Sequence, residues 1–186
     1  MGNKLKLSVQ RVTFVIFLLL PFWSFSQQKE IKRIKLTWNS FTRTTNRELA
    51  YIAYTTHKTG YKYRAVPKGG SVSLTFEVTI TLDTPKTLVN ISRLNKLSTI
   101  GKKDLLDHEQ GHTDLAVIYG RILYRKLTGA VYTTENFKMK TREIYLKTMK
   151  DLAEKNFSYD KETEHGFEPE QQMKWANYID KLLRST

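Results

Sequence analysis

Two histidines four residues apart, with a glutamate directly after the first, stand in LLDHEQGHTDLAVIYGRILYRKL, residues 105–127, of a chain that has only four histidines. On a helix, positions four apart lie one above the other, so His108 and His112 can offer two imidazoles to one ion. Tetrahedral zinc, held at about 2.0–2.1 Å from each nitrogen, fits that spacing. Glu109 then lies beside the ion, placed to take a proton from an acidified water and to hand it to a departing amine. With this content of histidine and glutamate, a His-Glu-x-x-His match arises by chance in roughly one such sequence in two hundred. The pattern therefore asks for a chemical explanation.

The helix that would carry these residues has a readable register. At about 100° per residue, His108 and His112 fall inside the apolar arc of Leu115, Ala116, Ile118, Tyr119, Ile122, Leu123 and Leu127, with Glu109 at its edge. Asp107, Gln110, Asp114, Arg121 and Arg125 take the opposite side, which reads as the solvent face. Two buried imidazoles without partners would be costly, and a shared metal satisfies both. Gly111 weakens a helix by about 1 kcal/mol relative to alanine, and its bare Cα would let another backbone pass close to the site.

Catalytic zinc takes three protein ligands and leaves a fourth position to water. The extended HExxHxxGxxH pattern fails here, because Leu115 and Ile118 occupy its glycine and last histidine positions. Glu135 and Glu143, on a helix read over 134–156, are candidate third ligands, although both also read as ordinary exposed helix charges. The leading candidate is His165, in YDKETEHGFEP (159–169), read as a loop between two helices. His57 sits in a TTHKTG bend and reads as exposed.

Upstream, the signals are for strands. In VSLTFEVTITL, Val72, Leu74, Phe76, Val78, Ile80 and Leu82 alternate strictly with Ser73, Thr75, Glu77, Thr79 and Thr81, placing every apolar chain on one face. IKLTW (34–38) and ELAYIAYTTHK (48–58) read as shorter strands. Gly69 and Gly70 form a turn, and Thr59-Gly60 a bend before YKYRAV (61–66). After about residue 88 the period becomes helical, with a short helix in LVNISRLNKL, then 103–127, 134–156 and 169–184, the last opened by Pro169. Strands first and helices after give an α+β class: an N-terminal antiparallel sheet, an active-site helix and two further helices.

The N-terminus reads as a cleaved signal peptide over 1–26. Lys4, Lys6 and Arg11 precede the apolar run Val12–Leu20, which Pro21 breaks well short of a membrane span, and the expected cut falls between Ser26 and Gln27. The expected location is secreted or periplasmic, with no stable membrane insertion after cleavage. No cysteine is present, so thiolate ligands and cysteine nucleophiles are excluded and any metal must take nitrogen and oxygen donors. Without Lys4, Lys6 and Arg11, 28 Lys and Arg against 18 acids leave a net charge of +10. These cations are spread in ones, twos and threes along the chain, which reads as a soluble surface, and no nucleic-acid partner is expected.

LTWNSF after the signal, LLDHEQGHTDLA, and YDKETEHG followed by Gln172 and Trp175 together make the chain resemble a bacterial family of predicted secreted zinc-dependent proteases, itself a domain of unknown function. The resemblance implies a zincin-like single domain over 27–186, with His108 and His112 as zinc ligands, Glu109 as general base and His165 as third ligand. It also implies that Tyr119, Tyr159 and Asp160 lie near the centre, with Tyr159 a donor to the developing oxyanion. Where the family tends to carry an aromatic residue after the second histidine, this chain has Thr113.

Three functions are consistent with these residues. The first is an exported metallopeptidase acting on peptide or protein substrates through Glu109. The second is an exported module with structural zinc, docking an anionic envelope component. The third is a zinc amidase acting on cell-wall amides.

Overall fold

The computed structural model describes residues 30–186, and the expected signal peptide lies outside the described residues. Four strands precede most of the helix: β1 (Thr42–Thr44), β2 (Ala53–Tyr54), β3 (His57–Lys68) and β4 (Ser71–Leu82). Then β5 (Leu88–Asn90) leads directly into a single helical turn, α1 (Ile91–Leu94), and three long helices follow, α2 (Thr99–Thr128), α3 (Phe137–Thr163) and α4 (Pro169–Ser185). The class is mixed α and β, as composition and periodicity imply.

The sheet differs from the single antiparallel one expected. The β3–β4 hairpin stands as its own two-stranded sheet, while β5 inserts between β1 and β2, pairing parallel with β1 and antiparallel with β2. The cause is the 3-10 turn Thr84–Lys86, with Pro85 inside it, which takes the chain out of the hairpin at Leu82 and delivers it to the second sheet. Thr59 and Gly60 form no bend; they pair with Ile80 and Thr79 inside β3. Gly69 and Gly70 do form the hairpin turn, at φ 49° and 76°, the left-handed pair that a two-residue connection requires. Along β4 the alternation is realised: Val72, Phe76 and Val78 are buried and the hydroxyl-bearing positions between them are exposed.

Helix α2 is the common spine. Ser98 caps its start by accepting from the Gly101 amide at 3.0 Å. Its first turns give Leu105 and Leu106 to a cluster around Leu36, Phe41 and Val89; its middle gives Leu115 and Ile118 to a cluster with Trp175 and Ile179; its last turns pack Leu123 and Leu127 under the hairpin. At Gly120 the hairpin comes so close that an added Cβ would meet Ile80 Cγ1 at 2.6 Å.

The polar side of α2 is not a free solvent face. Residues 31–36, which include most of the expected IKLTW strand, run along it without joining a sheet. Arg33 donates to both oxygens of buried Asp114, at 2.8 and 2.7 Å. The Gln110 amide takes the Leu36 N–H at 2.8 Å and donates to the Ile34 carbonyl at 2.9 Å, so that one side chain stands in for a neighbouring strand. Arg121 donates to the Ile31 carbonyl and also to that of Leu183, tying both ends of the described chain to α2. Helix α3 likewise exceeds its expected range. It runs past residue 156 to Thr163, so Tyr159 and Asp160 belong to its last turns and not to a loop.

Candidate metal centre

His108 and His112 do face inward, and their rings meet α3. His112 Nε2 lies 2.9 Å from Asp160 Oδ1, His108 Nε2 lies 3.2 Å from the same oxygen, and the two Nε2 atoms are 3.2 Å apart. Donors bound tetrahedrally at about 2.1 Å stand about 3.4 Å from one another, so these three atoms are spaced nearly as a shared ion would space them. His165 Nδ1 comes within 3.4 Å of Asp160 Oδ1 as well, and one nitrogen each from His108 and His165 with an oxygen of Asp160 fall within 4.8 Å of one another.

The outer atoms of the rings decide what faces the centre. His112 Nδ1 meets Asn156 Oδ1 at 2.8 Å, and His108 Nδ1 meets Gln172 Oε1 at 3.2 Å. Acceptor oxygens there place the imidazole protons on Nδ1 and turn the Nε2 lone pairs inward, the arrangement usual for metal-bound histidine. Two lone pairs and a carboxylate oxygen then converge on one point, which calls for a cation. Where protons take the place of the cation, the rings donate to the carboxylate instead. Asp160 is partly buried, yet the two imidazoles then hold it well below the usual carboxylate range; burial pulls His112 down, but its hydrogen bond to Asp160 and that residue's charge outweigh it and raise its affinity for a proton.

Tyr159 supports this arrangement from beneath. Its ring stacks on His108 with centroids 4.7 Å apart and planes 20° from parallel. The hydroxyl donates to the His108 carbonyl at 3.1 Å and accepts from Gln172 Nε2 at 2.6 Å. Wholly buried and with its hydroxyl so engaged, Tyr159 is not positioned as a donor to a reacting oxygen; it orients His108. Gly111 is what admits it, since a Cβ there would overlap the hydroxyl and stand 2.7 Å from Cζ. The close approach is by a side chain, not by the backbone expected.

Glu109 is buried, and its Oε2 has no hydrogen-bond partner among the described residues. Burial pushes its carboxyl above the usual range, against the pull of His112 and His108. It opens on a cleft of about 410 Å³ whose far wall is residues 50–55 and which His57, Arg93, Asn156, Asp160 and His165 also line. Thr55 Oγ1, on that wall, is the other buried polar side-chain atom without a partner in good geometry among the described residues, and it lies near enough to Glu109 to pull that carboxyl down slightly.

A family model described as a bacterial protein of unknown function (DUF922) matches residues 26–166. The chain belongs to that family. No curated protein and no solved structure matches it. The DUF922 match spans all four histidines and Asp160, and ends before Gln172 and Trp175 on α4. Membership makes the chain bacterial and assigns it no activity.

The DUF922 chain thus brings His108, Glu109, His112, Asp160 and His165 to one cleft. Glu135 and Glu143 are both exposed and outside it. Tyr119 packs against the Leu115–Ile118–Trp175 cluster instead of approaching the centre. His57 is not an exposed bend residue: it opens β3, its Nε2 lies 3.1 Å from Thr113 Oγ1, and burial with the nearby His112 lowers its pKa to about 4. Asn156 and Arg93 carried no signal in the sequence reading. For Asn156 the missing clue was the length of α3, because once the helix reaches Thr163, Asn156 and Asp160 stand one turn apart on the same face. His165 is aimed by backbone conformation. Glu164, His165 and Gly166 have φ of 47°, 55° and 89°, and Gly166 packs at the contact limit on His108, where a Cβ would stand 3.1 Å from the ring.

Proposed function

We propose that this DUF922 chain is an exported, zinc-dependent hydrolase of peptide bonds. The observation that carries the reading is the convergence of His108, His112 and Asp160 on one point beside a buried carboxylate, one oxygen of which has no hydrogen-bond partner among the described residues, in a cleft. In the zinc-bound protein these three would be the ligands, and His165 a further donor. Zinc held there would acidify a water and polarise a carbonyl oxygen. Glu109 then receives the proton at Oε2 and releases it to the departing amine. Asn156 and Gln172 hold the two rings in register, and the wall at 50–55 limits water around Glu109. Strand β2 is an edge of its sheet and lies in that wall, so an extended peptide can pair with its backbone. No helix among the described residues is long and apolar enough to cross a membrane.

Replacing Glu109 with Gln tests the reading: zinc should remain bound while hydrolysis of a mixed peptide library falls to background. Undiminished hydrolysis would rule out this role for Glu109.

One observation favours a second reading. If His165 completes the set, four protein donors close the site, as in structural zinc centres. Chelation separates the two. None of the donors belongs to the three apolar clusters, although Tyr159 of one stacks on His108, so on the hydrolase reading removal of zinc leaves the far-ultraviolet circular dichroism spectrum intact, whereas a structural centre would unfold.

A further inference from the structure

One cation in the cleft has no anion to answer it among the described residues. Arg93, on α1, lines the cleft and is partly buried. Its Nη1 donates to three successive carbonyls of the far wall, those of Leu49 at 2.8 Å, Ala50 at 3.5 Å and Tyr51 at 3.3 Å. Those bonds fix the guanidinium plane, yet they use one nitrogen of three. Among the described residues Nε and Nη2 make no hydrogen bond, and Arg93 forms no ion pair. Seven ion pairs between a Lys or Arg and a carboxylate are present among the described residues, and buried Asp83 and Asp114 are both answered by basic residues. Among the described residues Arg93 is also the only Lys or Arg lining this cleft.

Its place relative to the metal donors follows from contacts. Arg93 holds the Tyr51 carbonyl; the Tyr51 ring lies on the His165 ring, with centroids 4.5 Å apart; His165 Nδ1 is 3.4 Å from Asp160. Arg93 therefore stands two side chains away from the centre, along the same wall that carries β2. A guanidinium whose remaining N–H groups are fixed in a fork is suited to a planar carboxylate, which it can take through two parallel hydrogen bonds.

We propose that Arg93 is a specificity residue, and that the substrates of this site are peptides bearing a carboxylate, either an acidic side chain or the chain's own C-terminus, within a few residues of the bond placed at the centre. This rests on the hydrolase reading for what happens to the peptide, but binding can be measured without turnover. The bland alternative is that Arg93 only braces the 49–51 wall; bracing does not discriminate between glutamate and glutamine in a ligand.

The test uses zinc-loaded protein carrying Glu109→Gln, titrated with N-acetylated hexapeptides that differ only by Glu or Gln scanned through each position, each with a free or an amidated C-terminus. One or two positions, or the free terminus, should bind about tenfold or more tightly in the charged form. Arg93→Gln should bring that ratio to about one, and Arg93→Lys, which keeps the charge and can still brace the wall, should retain part of it. Equal affinity for every charged and neutral pair, binding of none, or a preference that survives in a folded Arg93→Gln protein would overturn the proposal. If Arg93→Gln does not fold, the ratio in the parent protein and in Arg93→Lys still decides. A preference for carboxylates without hydrolysis by the wild-type chain would sink the hydrolase reading and leave Arg93 assigned, and hydrolysis indifferent to charge would do the reverse.

Discussion

The hydroxyl of Tyr159 occupies the space where a side chain at Gly111 would begin, and from there it reaches the carbonyl of His108. Two features that look unrelated in sequence are thus one device: a glycine between the histidines, and a tyrosine 48 positions later that enters through the gap it leaves.

Helix propensity alone predicts that Gly111→Ala stabilises α2 by about 1 kcal/mol. The packing predicts the opposite sign, a loss of about 1–3 kcal/mol in urea unfolding, because the neighbour that must yield is a fully buried ring with nowhere to go. Placing Gly111→Ala in a Tyr159→Phe background should recover part of that loss. A more stable single variant would show that the ring moves freely, and that Tyr159 does not fix His108.

Asn156 meets the centre through His112 Nδ1, its one side-chain hydrogen bond among the described residues. Removing such an outer partner weakens metal binding by about 10- to 100-fold. Asn156→Ala should therefore show that loss in a competitive zinc titration while its thermal unfolding without metal matches the parent. Unchanged affinity would mean that the ring is held by packing alone.

The clamp behind α2 makes a separate prediction for stability. Arg33→Ala leaves Asp114 buried with only Gln110 as a donor, and should cost about 1–2 kcal/mol, at the modest end because the Arg33 side chain is itself 55% exposed. Adding Asp114→Asn removes the stranded charge and should return part of the loss. If the double variant is less stable than the single by the full cost of a second contact, the two residues are not coupled.

What could be read in advance was whatever depends on periodicity within one element. The alternation in β4 fixed its buried face, and the turn of α2 put His108 and His112 inward, because both patterns are set by local geometry. What could not be read depends on which distant segment arrives. Gln110, Asp114 and Arg121 have the look of a solvent face, and only a strap from the N-terminal side of the chain turns them into a docking surface. IKLTW has the composition of a strand, yet its backbone partners include a glutamine side chain. Only the family resemblance put Asp160 near the centre; periodicity ends α3 at 156 and makes it a loop residue, whereas the helix carries it there. His165 was identifiable as a candidate, but not its geometry, which follows from a left-handed turn that its residue types do not announce.

All of the chemistry proposed here requires that the three converging donors hold zinc, and equilibrium dialysis followed by elemental analysis measures this directly. The wild-type chain should retain one zinc per molecule against micromolar free metal, and Asp160→Ala, folded by circular dichroism, should retain none. A wild-type protein that comes through dialysis without metal, or an Asp160→Ala variant that binds zinc as tightly as its parent, would contradict the account.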